Sequence, residues 1–433
     1  MVYDLILKNS NIIDKKGEIK KNLNIYINQG EIVRISGESK EVASAKEIID
    51  CGNLFITPGL VNLHTHSPMN IFKGIAEDVD IEDWFNKEIW PYESKMKEVD
   101  VYYGALLAIV EMIENGVTAF ADHYFYAEKV CDAVLETGIR GDIAPTLFGV
   151  SENFDEELKK VSHLIEEKNG INDRLSLRYG PHSPYTCPPK TLKKIIDAAK
   201  YYKVGLHIHM AETAKQVEDS INTYRKTHFE IFYDAGGFDI PTIIAHGLWV
   251  NEEDLKYLSN SSCFAVTPKT YMKLNMGLGN IWKYYKQLNI GFGTDGAASS
   301  NSLSPIEQAR LFALLGKLNY KATEYRLEEI WAMIMKGHEV LNFNIGDIKV
   351  GCKADLIFWD LNRVNTMPVY NPLASIIYSA DSQNIIHVMV NGIFLKKNSK
   401  LMIDTTEIIK EAREHAKKIL KRGKGTQRYI FKT

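Results

Sequence analysis

Pro58-Gly59-Leu60-Val61-Asn62-Leu63-His64-Thr65-His66 is the stretch from which the fold of this chain is read. The apolar run Leu60–Leu63 reads as a buried strand. Side chains alternate faces along a strand, so His64 and His66 point the same way and can grip one ion from one side. Neutral imidazoles suit Zn²⁺, Fe²⁺ and similar borderline cations. A His-x-His pair is a short pattern on its own. Its weight comes from further His, Glu and Asp residues, each placed later at the end of another short apolar run.

Those runs alternate with helical spacing. Val99 to Asn115 carries Tyr103, Leu106, Leu107, Val110 and Ile113 at helical intervals, stops at Gly116, and leads into Val117-Thr118-Ala119-Phe120. Further strand candidates are Ile143-Ala144, Leu175–Tyr179, Val204–His209, Thr242–Ala245, Cys263–Val266 and Ile290–Gly293. With the His64 strand they make about eight strand–helix units over roughly 250 residues, which predicts an α/β fold of the (β/α)₈ TIM-barrel type. A doubly wound sheet is the runner-up, but no Gly-rich phosphate loop follows a first strand. Both ends of the chain are β-rich: Leu5–Leu7, Leu23–Ile27 and Glu31–Ile35 in front, Ala354–Asp360 and Ile385–Val390 with an Asn391-Gly392 turn behind. Each would bury little alone. The expected organisation is therefore residues 1–57 and 346–433 joined as one small composite β-sandwich, the latter with a terminal helix near 406–422, around a barrel at 58–345. That helix is expected to dock on its own chain.

At 433 residues, one large α/β unit plus a smaller one is the natural prior. A net charge of −3 gives no bulk attraction to nucleic acid or an anionic membrane. Five scattered cysteines with no CxxC argue against a disulfide framework and a thiolate metal site. Met1–Asn9 has no signal-peptide pattern, and no stretch reaches the roughly 20 apolar residues that span a bilayer. A cytoplasmic protein acting on a small molecule is expected, with self-association left open.

In such a barrel the C-terminal strand ends form the active site. Here they carry His64, His66, Asp122, His182, His207 or His209 with Glu212, His246 and Asp295. His64, His66, His209 and Asp295 would complete a catalytic metal sphere with one open position. His207 shares a face with His209, and period alone does not choose between them; Glu212, three residues on, favours His209. Asp295 lies in Gly293-Thr294-Asp295-Gly296, where a turn residue is the plain alternative. Asp295 can also accept a proton from water, His246 can stabilise the attacking oxygen, and Glu212 can carry a proton to a ring nitrogen and a leaving amine. No lysine at the Leu175–Tyr179 or Ile143–Pro145 strand ends offers a carbamate bridge, which favours one divalent metal: Zn first, Fe or Mn as alternatives.

Taken together, Pro58–Met69, Gly180-Pro181-His182-Ser183-Pro184-Tyr185, His209-Met210-Ala211-Glu212-Thr213, Ala245-His246 and Gly293–Ser299 resemble the amidohydrolase superfamily, in its 5-methylthioadenosine/S-adenosylhomocysteine deaminase branch. The resemblance covers nearly the whole chain. It implies a mononuclear metal-dependent deaminase that replaces the 6-amino group of an adenine nucleoside with oxygen. It also implies metal ligation by His64, His66, His209 and Asp295, and a proton shuttle at Glu212. Substrate contacts are implied at His182, at Ser299, and at Glu93 in Ile89-Trp90-Pro91-Tyr92-Glu93, whose carboxylate would accept from the ribose diol. Two departures stand out. Ala144-Pro145-Thr146-Leu147 lacks an Arg that family members use for a carboxylate tail, which tilts the expectation toward methylthioadenosine or adenosine. Thr267–Leu274 replaces an Asn-Pro-x-Ser-Asn stretch, so Lys269 and Tyr271 are expected to face the pocket. His123 has no assigned role. The competing readings are a deaminase or chlorohydrolase of a free purine, pterin or triazine ring, and a non-catalytic barrel scaffold.

Overall fold

The computed structural model describes residues 2–37, 44–341 and 343–426. Two bodies organise it. The first is a nine-stranded sheet made from both ends of the chain: β1 (Tyr3–Ile13), β2 (Ile19–Asn28), β3 (Glu31–Ser36), β4 (Ala45–Asp50), β5 (Phe55–Pro58) and, after the barrel, four more strands. β1 is shared along its length. Its first half pairs with β4 and its second half with β5, either side of a register shift between Leu7 and Ser10.

The barrel strands are β6 (Leu60–Thr65), β7 (Val117–Tyr124), β8 (Arg140–Leu147), β9 (Leu175–Leu177), β10 (Gly180–Pro181), β11 (Leu206–Met210), β12 (Thr242–His246), β13 (Ser262–Val266) and β14 (Ile290–Phe292). They run parallel in TIM-type order, β6-β7-β8 with β9 and β10 on β8, then β11-β12-β13-β14. Backbone hydrogen bonds link the two groups at both ends. Tyr179 N–H donates to Gly205 O and His207 N–H to Tyr179 O; at the other end Thr294 and Asp295 N–H both donate to His64 O. Gly293 is required for this second approach, because a Cβ there would stand 2.7 Å from His64 Cβ. The expected strand Leu175–Tyr179 stops at Leu177, and the short β10 follows it at Gly180–Pro181, since Tyr179 turns its backbone to the β11 side.

After the barrel come β15 (Leu356–Trp359), β16 (Ile385–Val390), β17 (Ile393–Lys397) and β18 (Lys400–Leu401), and β15 pairs antiparallel with β5. Ile32 exchanges backbone hydrogen bonds with Gly351 and Cys352, so the edge strand β3 meets the segment leading to β15. The sheet thus curls over a core of Leu5, Leu7, Ile25, Ile27, Leu356 and Phe358. The helix Thr405–Arg422 packs on the barrel helix Glu98–Glu114, with His415 Nδ1 2.6 Å from Asp100. No helix among the described residues is long and apolar enough to cross a membrane.

Candidate active site

His64 and His66 leave β6 at its C-terminal end, His209 leaves β11, His246 ends β12, and Asp295 follows β14. Ala211, His246 and Asp295 all adopt left-handed backbone (φ 47°, 68° and 58°). Non-glycine residues pay for that conformation, and it concentrates where the surrounding structure must aim a side chain.

The ring orientations follow from hydrogen bonds on the far side of each imidazole. His66 Nδ1 lies 2.6 Å from the carbonyl of His123, and His209 Nδ1 lies 2.9 Å from the carbonyl of His182. A carbonyl only accepts, so each ring carries its proton on Nδ1 and presents Nε2 as a bare lone pair. Those two Nε2 atoms face each other at 3.3 Å, and Asp295 Oδ1 is 3.3 Å from His66 Nε2. His64 Nε2 is 3.7 Å from the same oxygen, fully buried and without a hydrogen-bond partner. Its Nδ1 is 2.9 Å from Nε2 of His207. His64, His66 and Asp295, and likewise His64, His209 and His246, stand close enough together that they could hold a metal ion. Three imidazole nitrogens and one carboxylate form the donor set that a divalent Zn²⁺, Fe²⁺ or Mn²⁺ ion takes, and far-side partners are the usual means of holding such rings. Burial keeps His64 neutral, its pKa lowered to about 3, and pushes His209 well below the ordinary histidine range. Burial alone would raise Asp295, but the facing His64 and His66 rings hold it well below the usual carboxylate range.

His246 stands close to His64 and His209, with Nδ1 3.2 Å from Thr267 Oγ1 and Nε2 3.5 Å from Glu212 Oε1. Glu212 also accepts from Gln216 Nε2 at 3.4 Å, and Gln216 completes a capping box with Thr213 at the start of the helix Ala214–Tyr224. A carboxylate and an imidazole thus stand beside the cation position and open into one cavity.

His182 lines that cavity, its Nδ1 held by Thr186 Oγ1 at 3.0 Å, and Glu93 lines it from the segment 81–93. Glu93 is buried, and burial raises its pKa, against the opposing pull of the Tyr124 hydroxyl. Three expected positions fall elsewhere. Ser299 is fully buried behind the site, where its hydroxyl donates to Asp295 Oδ2 at 2.9 Å, so it holds a carboxylate instead of touching substrate. Lys269 pairs with Glu307 at 2.8 Å, away from the cavity. Tyr271 sits behind His246 and accepts from the Thr267 N–H through its hydroxyl oxygen. Asp122 is no ligand: it accepts from the Ser67 N–H at 2.6 Å, and burial raises its pKa to about 6.

The sequence left other participants unassigned. His123 lends its carbonyl to His66 while its ring, held by Thr146 Oγ1 at 3.0 Å, forms part of the cavity wall. Much of the wall is aromatic, with Trp84, Phe85, Trp90, Phe125, Phe148 and Tyr185. These residues come from four separate segments, so no local pattern marks them.

Residues 55–394 match the model of the amidohydrolase family. A 5-methylthioadenosine/S-adenosylhomocysteine deaminase of Thermoanaerobacter pseudethanolicus is 34% identical over 97% of this chain and all of its own length. A 5'-deoxyadenosine deaminase of Methanobrevibacter smithii is 37% identical over 92% of this chain and 93% of its own. The crystal structure of an adenosine deaminase from Xanthomonas campestris with bound zinc superposes with a TM-score of 0.91 at 25% identity, covering 96% of this chain and 98% of that one.

Proposed function

Because the chain belongs to the amidohydrolase family, we propose that it is a metal-dependent deaminase that hydrolyses the 6-amino group of an adenine nucleoside and releases ammonia. The observation that carries this reading is the Glu212–His246 pair, 3.5 Å apart beside the converging Nε2 atoms, in a cavity that also holds the buried Glu93.

His64, His66, His209 and Asp295 would hold the ion, with zinc as the metal we propose. When bound there, a divalent cation supplies Lewis acidity that makes water nucleophilic near neutral pH. Asp295 accepts the proton that water loses as its oxygen forms a bond to C6. His246 donates a hydrogen bond from Nε2 to that oxygen and stabilises its charge. Glu212 delivers its proton to ring nitrogen N1, then takes up the proton of the new C6 hydroxyl and passes it to the departing nitrogen. The C6–N bond breaks, the C6=O bond forms and neutral ammonia leaves; Asp295 returns its proton to Glu212 to close the cycle. Glu93 accepts from the two ribose hydroxyls, and His182 hydrogen-bonds the substrate from the opposite wall. The aromatic side chains offer faces to the flat purine.

The test is ammonia release from adenosine, methylthioadenosine, S-adenosylhomocysteine, guanine and cytosine with Zn²⁺ or Fe²⁺ supplied. Turnover of adenine nucleosides that stops on chelation and returns with metal is expected. Ammonia from guanine or cytosine alone would replace this reading with one of free-base deamination.

A further inference from the structure

We propose that the substrate cavity selects adenine nucleosides whose 5' substituent is uncharged, and discriminates against those bearing a 5' carboxylate or phosphate. This deepens the deaminase reading and rests on it for the identity of the base. The observation is one of charge. No lysine or arginine lines the cavity among the described residues, while Glu93, Glu212 and Asp295 do. The lysines on the segments that supply the wall are engaged elsewhere: Lys87 with Asp83 at 2.8 Å, and Lys215 with Asp219 at 3.0 Å.

The apolar character extends to the rim. Phe85, Trp90 and Tyr185 are 40, 44 and 47% exposed, so the aromatic surface continues from the interior to solvent. Once Glu93 binds the ribose, a 5' substituent must leave along this surface. A methylthio group or a bare 5' methyl buries apolar area against it. An anion there gives up its hydration and, among the described residues of the cavity, finds no lysine or arginine side chain in return. A zwitterionic amino-acid tail keeps its ammonium near the cavity's acids but leaves its carboxylate without a partner. Discrimination by an unpaired buried charge works through cost to the wrong ligand, with no gain needed for the right one.

The experiment measures kcat/KM on the zinc-loaded full chain for methylthioadenosine, 5'-deoxyadenosine, S-adenosylhomocysteine and adenosine 5'-monophosphate. Binding of the same four compounds is measured by calorimetry. We expect the two neutral nucleosides to exceed the monophosphate by at least about 100-fold and S-adenosylhomocysteine by about 10-fold, in both measurements. Phe85→Arg, at the exposed rim, is expected to narrow the gap to the monophosphate by about 10-fold. Charged and neutral compounds within threefold of each other would overturn the selectivity while leaving the deaminase reading standing. Binding in the expected order with no ammonia from any of them would uphold the selectivity and overturn the deaminase. Absence of binding by all four would overturn both.

Discussion

His66 and His209 are aimed by the backbone carbonyls of His123 and His182. A carbonyl cannot donate, so the tautomer of each ring is set without spending a side chain. Glu212 differs: its carboxylate stands beside His246, and Gln216 holds one oxygen while the other faces the imidazole. Glu212→Gln keeps the shape and the hydrogen bond to Gln216 but removes the proton carrier. Its kcat for a neutral adenine nucleoside should fall by about 10²- to 10⁴-fold with metal content unchanged, as checked by single-turnover kinetics and elemental analysis. Ser299→Ala frees Asp295 Oδ2 instead, and should weaken zinc binding by about 10-fold in a chelator competition. The four proposed ligands and Glu212 were legible because each follows a short apolar run. The correct place of Ser299, Lys269 and Tyr271 was not. Whether a side chain near the mouth faces inward depends on partners 4 to 38 residues away, such as Asp295 and Glu307, and spacing carries no record of that.

Among elements, the segment Ile81–Glu93 shows most clearly how a part remote in sequence shapes the site. Its inner face gives Trp84, Phe85, Trp90 and Glu93 to the cavity. Its outer face is covered by the chain just beyond the helix Thr405–Arg422. Thr426 donates to Glu88, and Gly423 and Gly425 lie flat against Pro91 and Tyr92; a Cβ on Gly423 would stand 2.4 Å from the Pro91 carbonyl. Gly423→Val must therefore push this strap or the segment outward, shifting Glu93 with it. Its KM for nucleosides should rise by about 10-fold while kcat changes less than threefold. Equal kcat and KM for variant and parent would show that the strap bears on nothing in the cavity. The terminal helix was readable from its amphipathic spacing, and its docking on its own chain was expected. What lies past it was not readable, because a contact made by two glycines leaves no hydrophobic signature. The strand β8 was equally faint. Its Arg140 and Asp142 interrupt the apolar run, yet both are buried, since Arg140 pairs with Asp355 at 2.7 Å and Asp142 with Arg178 at 2.5 Å.

At the level of the whole molecule, the sheet and the barrel are joined by buried polar contacts around Gly59, where β5 passes into β6. Arg140 from the barrel grips Asp355 of the sheet segment with two hydrogen bonds, Asp355 O accepts from the Gly59 N–H, and His338 Nε2–H donates to Gly59 O at 2.9 Å. Asking only for periodicity could find both bodies but not this joint, whose residues are polar and scattered. Burial lowers the pKa of His338 to about 4, and that of His228, whose Nδ1 accepts from the Ala211 N–H, also to about 4. In the unfolded chain each would titrate near 6.5. Between these values the unfolded state binds a proton that the folded state refuses, so stability is present above about pH 6.5 and is lost as the pH falls toward 4. At pH 5 each such histidine withdraws about 2 kcal/mol relative to neutral pH. Cation release from the active site also acts in acid, so the comparison that isolates the joint is His338→Gln, whose amide keeps a donor for Gly59 O without titrating. Thermal denaturation of both proteins at pH 7.5 and pH 5.0 should give the parent the larger drop in Tm, whatever the variant's absolute stability. An identical drop in the two would mean that His338 already carries its proton in the folded chain, and that the joint at Gly59 is held in some other protonation state.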